Sequence, residues 1–260
     1  MKVIPFVNLK GGVGKTTTCM GIAVAAADIL GEKVLVIDMD PQANLTAAVL
    51  PDLDDDAPTM LDVLEPNSST TLSDVIQPTD WPGIDVAPST IRLAMREQDS
   101  GTAIVRLRAA LAALEADRYA AILIDTNPSI ANLTTSALVA ATDVAIVTTP
   151  SRAASDGVAE TMANIRSAQQ VTPHLCVGGI IINAFDIRIA EEKFRVAELR
   201  ELYPDEVLDP IIPNRAVLKT AMGEGSPVSS MTTPPAKELT GYYRELAAKL
   251  LADRAQEDQA

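Results

Sequence analysis

Near its amino terminus the chain reads Lys10-Gly11-Gly12-Val13-Gly14-Lys15-Thr16-Thr17. An apolar run, Val3 to Val7, precedes this stretch and predicts a β-strand, and the Ala-rich residues Thr18 to Leu30 that follow it predict a helix. A glycine-rich turn between a strand and a helix lets backbone N–H groups close on phosphate oxygens, and the positive end of the helix dipole adds to the attraction. We therefore predict a phosphate-binding loop over residues 10–17.

Two side chains of this loop have the chemistry that such a site needs. Lys15 can reach the terminal phosphates of a nucleotide, and the Thr16 hydroxyl can ligate Mg²⁺. The usual P-loop pattern has a glycine five residues before the Gly-Lys pair, where this chain has Leu9 followed by Lys10. The sequence therefore indicates a variant P-loop with Lys10 as an additional cation. A glycine-rich turn that merely joins a strand to a helix is the alternative.

The composition favours one large globular α/β domain. The chain has 260 residues, of which 47% are hydrophobic, and no apolar run approaches the roughly 20 residues that a membrane helix needs. Met1 and Lys2 lead directly into the first predicted strand, so we expect no signal peptide. Cys19, Cys176 and His174 are too isolated for a transition-metal site, so we expect buried thiols, a reducing cytoplasm and Mg²⁺ on oxygen ligands.

The net charge of −14 argues against nucleic acid as a partner if bulk charge alone is considered. A local basic face is compatible with this average. The acidic run Asp54-Asp55-Asp56 is expected to be a solvated loop.

Two further apolar runs end in aspartate. Lys33 to Asp38 and Tyr119 to Asp125 both predict strands that are buried on both faces of a parallel sheet. The carboxyl ends of such strands form ligand sites in open α/β folds, and an aspartate there is the usual second half of a P-loop site. The side-chain alternation of a strand puts Asp38 and Asp40 on the same side, so both could face the phosphates. A helix cap or a turn is the alternative role for these two aspartates.

The rest of the chain alternates predicted helices with predicted strands. Helices are expected over 59–64, 72–76, 104–116, 133–141, 155–171, 191–202 and 235–253, and strands over 84–87, 143–149, 175–182 and 207–212. We expect residues 51–90 to be an irregular insertion on a single domain of residues 1–260, and residues 235–253 to form a packing helix. The alternation predicts an α/β fold with a doubly wound, mostly parallel sheet and helices on both faces.

The motifs together resemble the ParA/MinD family of deviant Walker-A ATPases. The variant loop and Asp38-Met39-Asp40-Pro41-Gln42 look like the ParA branch, and Ile124-Asp125-Thr126 with Pro128-Ser129 resembles the Walker-B segment. Ile212-Pro213-Asn214-Arg215 resembles the ParA carboxyl-terminal region loosely, because its order of Arg and Asn differs. Asn127 also departs from the family, which usually has proline there. The chain is similar to the short form that lacks an amino-terminal helix-turn-helix domain.

The resemblance implies a cytoplasmic, nucleoid-associated ATPase that forms a homodimer on binding ATP and Mg²⁺. It implies binding to nonspecific double-stranded DNA, slow hydrolysis that DNA and a ParB-like adaptor protein stimulate, and no membrane contact. The cargo that such an enzyme partitions or positions can be a plasmid, a chromosome or a protein microcompartment.

The resemblance also implies roles for residues. The whole loop 10–17 would bind nucleotide, with Lys15 on the β- and γ-phosphates and Lys10 reaching the partner subunit's phosphates. Asp40 would orient the attacking water. The expected Mg²⁺ ligands, directly or through water, are Thr16, Asp38 and Asp125.

Other roles rest on family analogy or on position alone. Asn183 and the backbone near Pro213 are expected at the adenine edge, although Asn183 could equally be a turn residue at the end of a strand. Basic residues of the carboxyl-terminal third are candidates for DNA contact, with ordinary solvated surface as the alternative. These candidates are Arg188, Arg195, Arg215 and Lys219.

Three other kinds of P-loop protein compete with this interpretation. The main alternative is an ATP-dependent small-molecule ligase of the dethiobiotin synthetase type, which would need neither DNA nor Lys10 across a dimer. A metal-cluster carrier of the Mrp or nitrogenase iron-protein kind would need a cysteine pair at the dimer interface. A MinD-like membrane ATPase would need a basic amphipathic tail, whereas this tail has mixed charge.

Overall fold

A seven-stranded sheet forms the centre of the part that the computed structural model describes, residues 1–99, 104–115, 117–129 and 131–252. Its strands are β1 (Lys2–Val7), β2 (Val34–Met39), β3 (Gln77–Pro78), β4 (Ile84–Ala87), β5 (Ala121–Thr126), β6 (Asp143–Thr148) and β7 (Cys176–Ile182). They are ordered β3-β4-β2-β5-β1-β6-β7. All neighbouring pairs are parallel except the short edge pair β3–β4, which is antiparallel.

Helices cover both faces of the sheet. They are α1 (Lys15–Leu30), α2 (Asn44–Val49), α3 (Met60–Val63), α4 (Leu72–Val75), α5 (Arg106–Ala112), α6 (Asn132–Ala140), α7 (Arg152–Gln169), α8 (Ala190–Leu202), α9 (Ala216–Gly223) and α10 (Pro234–Leu251). Turns of 3₁₀ helix include Ile91–Gln98 and Val228–Ser230. The predicted doubly wound α/β fold is confirmed.

Alternate side chains of the central strands pack into separate cores on the two faces of the sheet. Both sets are buried, so each strand appears in the sequence as a continuous apolar run. On one face, Phe6 and Val36 pack with residues of α1 and α10. On the other face, Ile37 and Ile122 pack with α3 to α6, while Ile146 packs in a neighbouring cluster with α7 and α8. Because β5 pairs in parallel with both β1 and β2, the carboxyl ends of these three strands lie together at one edge of the sheet.

The segment 51–90 contributes to the sheet. Its residues Ile84–Ala87 form the predicted short strand, which pairs with β2, and Gln77–Pro78 add an edge strand that the sequence pattern did not indicate. Asp54, Asp55 and Asp56 are exposed, as expected for a solvated loop.

One predicted strand is wrong. Residues 207–212 form no ladder with β7; the bridges found here are isolated, Ile180 with Val207 and, just beyond the predicted strand, Phe185 with Pro213. Leu208 N–H and Ile212 N–H donate to carbonyls of β7. Between these two donors lies Pro210, which has no N–H to donate, so the ladder is interrupted.

Other differences are smaller. Cys19 is buried as expected, but Cys176 is exposed, because it is the first residue of an edge strand. The helix predicted over 104–116 is observed as Arg106–Ala112, and residue 116 lies outside the described residues. The last helix ends at Leu251, and residue 253, its predicted end, also lies outside them.

Candidate nucleotide-binding site

The predicted phosphate loop connects β1 to α1. Gly14 ends the loop with φ 88°, a left-handed conformation that glycine adopts without strain. A Cβ at Gly14 would also overlap the side-chain amide of Asn183, which donates to the Val13 carbonyl at 2.9 Å. Glycine is therefore required here both for the turn and for the close approach of β7.

Helix α1 begins at Lys15, three residues earlier than the predicted Thr18. Gly14 provides no side-chain cap, so the first-turn N–H groups of the helix have no capping oxygen from that residue. A helix terminus of this kind, preceded by a glycine-rich turn, suits an anionic ligand such as a phosphate.

Lys15 lies inside the loop. Its side chain is buried, and Nζ donates to the carbonyls of Asn8 at 3.2 Å and Lys10 at 3.4 Å. Burial lowers the pKa of Lys15, while the nearby charges of Asp125 and Asp40 oppose that shift. The structure therefore brings together the predicted cation and two of the predicted carboxylates.

Lys10 and Asn8 form the outer part of the loop. Lys10 is exposed, and its backbone N–H donates to Asn8 Oδ1 at 2.9 Å. The Asn8 amide in turn donates to the carbonyl of Val147 on β6 at 2.7 Å. Asn8 thus anchors the loop to the sheet, a role that sequence reasoning missed because it depends on a contact between distant segments.

Asp125 faces the start of α1. Its Oδ2 accepts a hydrogen bond from Thr16 Oγ1 at 2.6 Å, whereas its Oδ1 is buried and has no hydrogen-bond partner among the described residues. Burial raises the pKa of Asp125 well above its usual value, and the charge of Asp38 raises it further. A buried carboxylate oxygen without a partner, beside a threonine hydroxyl, has the oxygen chemistry that Mg²⁺ prefers.

Asp38 is the register partner of Asp125 on the adjacent strand β2. Its Oδ2 accepts from the Thr46 N–H at 3.0 Å and the Thr46 hydroxyl at 2.7 Å, and its Oδ1 accepts from the Asp40 N–H at 3.0 Å. Burial raises the pKa of Asp38 to about 6, against the effect of these hydrogen bonds. Asp38 therefore also fastens the first turn of α2, as the alternative of a cap or turn anticipated.

Asp40 lies in the turn after β2. Its Oδ1 accepts from the Gln42 N–H at 2.9 Å, and its carbonyl accepts from Ser89 Oγ at 2.7 Å. The Ser89 N–H also donates to Thr46 Oγ1 at 2.9 Å. Thr46 and Ser89 thus support both aspartates, and no motif or period in the sequence marks either residue.

The two residues expected at the adenine edge lie in different surroundings. Asn183 is buried beneath the phosphate loop, and its Oδ1 has no hydrogen-bond partner among the described residues. Pro213 is half-buried and lines a separate cleft of about 1090 Å³, together with Phe185, Arg215 and Tyr242.

The four candidate DNA contacts are spread over the carboxyl-terminal third. Lys219 is exposed on α9, and each of the three arginines forms an ion pair with a carboxylate. The pairs are Arg188–Asp186 at 2.6 Å, Arg195–Glu198 at 3.0 Å and Arg215–Glu238 at 3.0 Å. Of these candidates, Arg188 and Arg215 line the cleft that contains Pro213.

Neither a cluster of metal-ligating side chains nor a membrane-spanning helix occurs within the described ranges. No group of three or more His, Cys, Asp or Glu side chains in these ranges could hold a metal ion. A magnesium ion that shares a threonine hydroxyl, phosphate oxygens and water with one or two carboxylates does not need such a group. No helix within the same ranges is long and apolar enough to cross a membrane.

Comparison with known proteins decides the family. A family model described as an AAA domain matches residues 1–176. Soj, the sporulation initiation inhibitor of Bacillus subtilis, is 31% identical over 256 residues, which cover 97% of this chain and 99% of Soj. This chain belongs to the ParA family of P-loop ATPases. The chromosome partitioning protein ParA of Caulobacter vibrioides is 32% identical over 233 residues, with 88% of this chain and 86% of that ParA covered.

Solved structures share the fold of this ParA-family chain. A Mycobacterium smegmatis protein described as cobyrinic acid a,c-diamide synthase, with bound ADP and magnesium, is 29% identical with a TM-score of 0.78, over 96% of this chain and 94% of that one. A Borrelia burgdorferi protein described as a plasmid partition protein, bound to AMPPNP, is 25% identical with a TM-score of 0.79, over 96% and 98%. Apo McdA from Cyanothece, at 23% identity and a TM-score of 0.83 over 95% and 99%, shares the fold.

Proposed function

We propose that this ParA-family chain is a partition ATPase that binds ATP and Mg²⁺ on residues 10–17, dimerises, and binds nonspecific DNA. The observation that carries the proposal is the bond from Thr16 to Asp125 at the start of α1, beside the buried Lys15. The relative ParA of Caulobacter vibrioides is a chromosome partitioning protein by name, which favours this function over a small-molecule ligase.

The residues present fit a magnesium nucleotide. Thr16 and Asp125 would hold the ion, and Asp38, whose two oxygens already accept hydrogen bonds, would act through water. Bound Mg²⁺ supplies positive charge to the phosphate oxygens. Lys15 would bind the β- and γ-phosphates, and the exposed Lys10 would reach the partner subunit's phosphates.

Other contacts would complete the nucleotide site. Asn183 lies close enough to Gly14 to support the loop from below. The cleft at Pro213 has the room and the mixed lining that a base needs. Both residues are proposed to lie at the adenine edge.

Asp40 would orient the attacking water. We expect Asp40→Ala to dimerise on ATP and to lose hydrolysis, because dimerisation needs the bound nucleotide but not its cleavage. Turnover and molar mass measured on the same preparations check this. Normal turnover in the variant would remove Asp40 from the role.

DNA binding would use the basic residues of the carboxyl-terminal third, of which Arg188 and Lys219 are exposed and Arg195 and Arg215 are half-buried. Dimerisation would double this set and align the two copies, which would offset the net charge of −14. A ParB-like adaptor would stimulate hydrolysis, in the cytoplasm and on the nucleoid, and the cargo would be a plasmid, a chromosome or another assembly.

The experiment that tests this function measures binding to nonspecific duplex DNA with ATP, with ADP and without nucleotide, across a salt series. We expect binding that needs ATP and weakens steeply with salt, because contacts to phosphates release counterions. Arg215→Ala should weaken binding, and Arg166→Ala on α7 is the matched control. Absence of binding in every state, with ATPase activity intact, would favour the small-molecule ligase instead.

A further inference from the structure

The loop after β5 packs against the phosphate loop. It begins at Asn127, two residues after Asp125, and the ring of Pro128 lies 3.7 Å from the position that a Cβ on Gly11 would occupy. Gly11 is the direct neighbour of Lys10. A shift of the loop after β5 would therefore change the space around Gly11 and Lys10.

Glu97 holds this loop from the side. It lies on the 3₁₀ helix Ile91–Gln98, and its Oε1 accepts a hydrogen bond from Asn127 Nδ2 at 2.5 Å. The same oxygen is 3.4 Å from Ser129 Oγ, which donates to it. The other oxygen, Oε2, accepts from the Leu133 N–H in the first turn of α6 at 3.4 Å.

Further bonds tie the same elements together. The Asn132 amide donates to the Glu97 carbonyl at 3.0 Å, and the Thr134 hydroxyl donates to Asn127 Oδ1 at 2.9 Å. Both polar atoms of the Asn127 side chain are thus engaged, one by Glu97 and one by α6. This arrangement fixes the direction in which the chain leaves β5.

The charge of Glu97 suits this position. Among the described residues, Glu97 forms no ion pair with a lysine or arginine, so its carboxylate is directed to the loop and to the start of α6. A negative charge near a helix N-terminus is favourable. A hydrogen bond to an ionised group is also stronger than one between neutral groups.

We infer that Glu97 is a positioning residue of the ATP site, which acts through Asn127 to hold the loop after β5 against Gly11 and Lys10. The inference rests on the nucleotide site proposed above. Loss of the Glu97 carboxylate would let the loop shift without removing any group that contacts the phosphates. ATP hydrolysis, which depends on the precise placement of the groups around the phosphates, is then slowed. The affinity for nucleotide is unchanged.

The test compares Glu97→Ala, Glu97→Gln, Asn127→Ala and the Glu97→Ala/Asn127→Ala double variant in the full-length protein. The control is Arg92→Ala, an exposed residue on the same 3₁₀ helix. The measurements are kcat and KM for ATP with Mg²⁺, binding of a fluorescent ATP analogue, and Tm.

We expect Glu97→Ala and Asn127→Ala each to lower kcat by about tenfold, because small displacements of a catalytic site slow the chemical step. Analogue affinity should stay within about threefold, since Glu97 does not lie on the phosphate loop. The double variant should be no slower than either single one, because both changes remove the same interaction. Glu97→Gln should keep most of the activity, because its amide oxygen can still accept from Asn127, and Arg92→Ala should match the wild type.

Wild-type kcat in both single variants would overturn the inference, and so would additive losses in the double variant. A lowered Tm with unchanged kcat per folded molecule would show that Glu97 only stabilises the fold, which overturns it too. If Glu97→Ala does not fold, Glu97→Gln and Asn127→Ala still decide the matter. A wild-type protein that neither binds nor hydrolyses ATP would refute the proposed function itself, an outcome distinct from the others.

Discussion

Buried aspartates at the two ends of the central sheet differ in whether they form ion pairs. At the amino ends of the strands, Asp143 pairs with Lys2 at 3.0 Å, and Asp85 pairs with Lys33 at 2.9 Å. At the carboxyl ends, Asp38 and Asp125 are fully buried side by side. Within the described ranges, neither of these two forms an ion pair with a cation.

The difference separates charges that serve the fold from charges that serve the site. A carboxylate paired with lysine has its cost of burial offset, and removal of one partner destabilises the protein. Two adjacent buried carboxylates that form no ion pair cost stability instead, and their pKa values rise, although the charge of Lys15 opposes the rise at Asp125. Such uncompensated acids are typical of a functional site whose ligand supplies the missing positive charge.

The largest expected effect concerns Lys10. If it reaches the phosphates of the partner subunit, Lys10→Ala should lower turnover on the order of 10³-fold, as loss of an arginine finger does. Lys33→Ala, at the opposite end of the sheet, is the matched control and should keep turnover within about twofold. Steady-state ATPase assays and molar mass with ATP measure both effects. Unchanged dimerisation and turnover in Lys10→Ala would contradict the role.

Neutralising one aspartate at each end should change stability in opposite directions. Without metal at pH 7, Asp125→Asn should raise the free energy of unfolding by about 1 kcal/mol, because it removes a buried charge beside Asp38. Asp143→Asn should lower it by about 1–3 kcal/mol, because Lys2 loses its partner. Urea denaturation with EDTA measures both.

ATPase activity should show the reverse pattern in these two variants. Asp125→Asn should lose hydrolysis, and Asp143→Asn should keep it. If both variants lost stability and both kept activity, the distinction between the two ends of the sheet would be wrong.

The pH dependence of the free energy of unfolding should reflect the buried aspartates at the carboxyl ends of the strands. The pKa of Asp38 is about 6 in the folded protein and about 3.9 in an unfolded chain. Between these values the folded state binds more protons than the unfolded state, so the contribution of Asp38 to stability falls as pH rises from about 4 to about 6. Urea denaturation of the metal-free protein at several pH values should show this fall, and Asp38→Asn should reduce it.

A surface carboxylate provides the control for the pH experiment. A hydrogen bond from Arg188 lowers the pKa of Asp186 to about 2, so its contribution is lost only as the pH falls below about 4. Asp186→Asn should therefore leave the slope between about pH 4 and about pH 6 unchanged. An equal change of slope in both variants would assign the effect to general surface charge.

The smallest expected effect concerns a hydroxyl at the amino end. Tyr119 donates to Asp85 Oδ2 at 2.8 Å. Tyr119→Phe removes this bond while Lys33 still pairs with Asp85, so the free energy of unfolding should fall by about 1 kcal/mol with ATPase activity unchanged. Thermal and urea denaturation beside an ATPase assay check this, and a loss of activity would mean that the two ends of the sheet are coupled.

Much of the fold and part of the site could be predicted because their signals are local. Continuous apolar runs indicated the central parallel strands, and the glycines around Val13 indicated the turn before α1. The adjacency of Asp38 and Asp125 could be predicted because each ends an apolar run, and the ends of neighbouring parallel strands meet at one edge. Residues 207–212 were misassigned because an apolar pattern does not reveal an interrupted ladder.

The supporting contacts of the site could not be predicted from the pattern. No motif or apolar period in the sequence marks Glu97, and its acceptor role depends on a loop 30 residues away in the chain. Thr46 and Ser89, which support Asp38 and Asp40, are likewise 43 residues apart. The role of such a polar side chain depends on the groups that it contacts. Those groups are set by the packing of distant segments.

The order of residues alone is enough for the α/β class, the glycine-rich turn before α1 and the aspartates at the strand ends. Backbone freedom at glycine and the period of apolar residues act within a few positions of the chain, so they can be read directly. The partner of each charge was decided only by tertiary structure. Lys2 and Asp143 meet across 141 positions, whereas Asp125 keeps one buried oxygen without a partner in the described structure, because electrostatic interactions depend on distance in space and on burial.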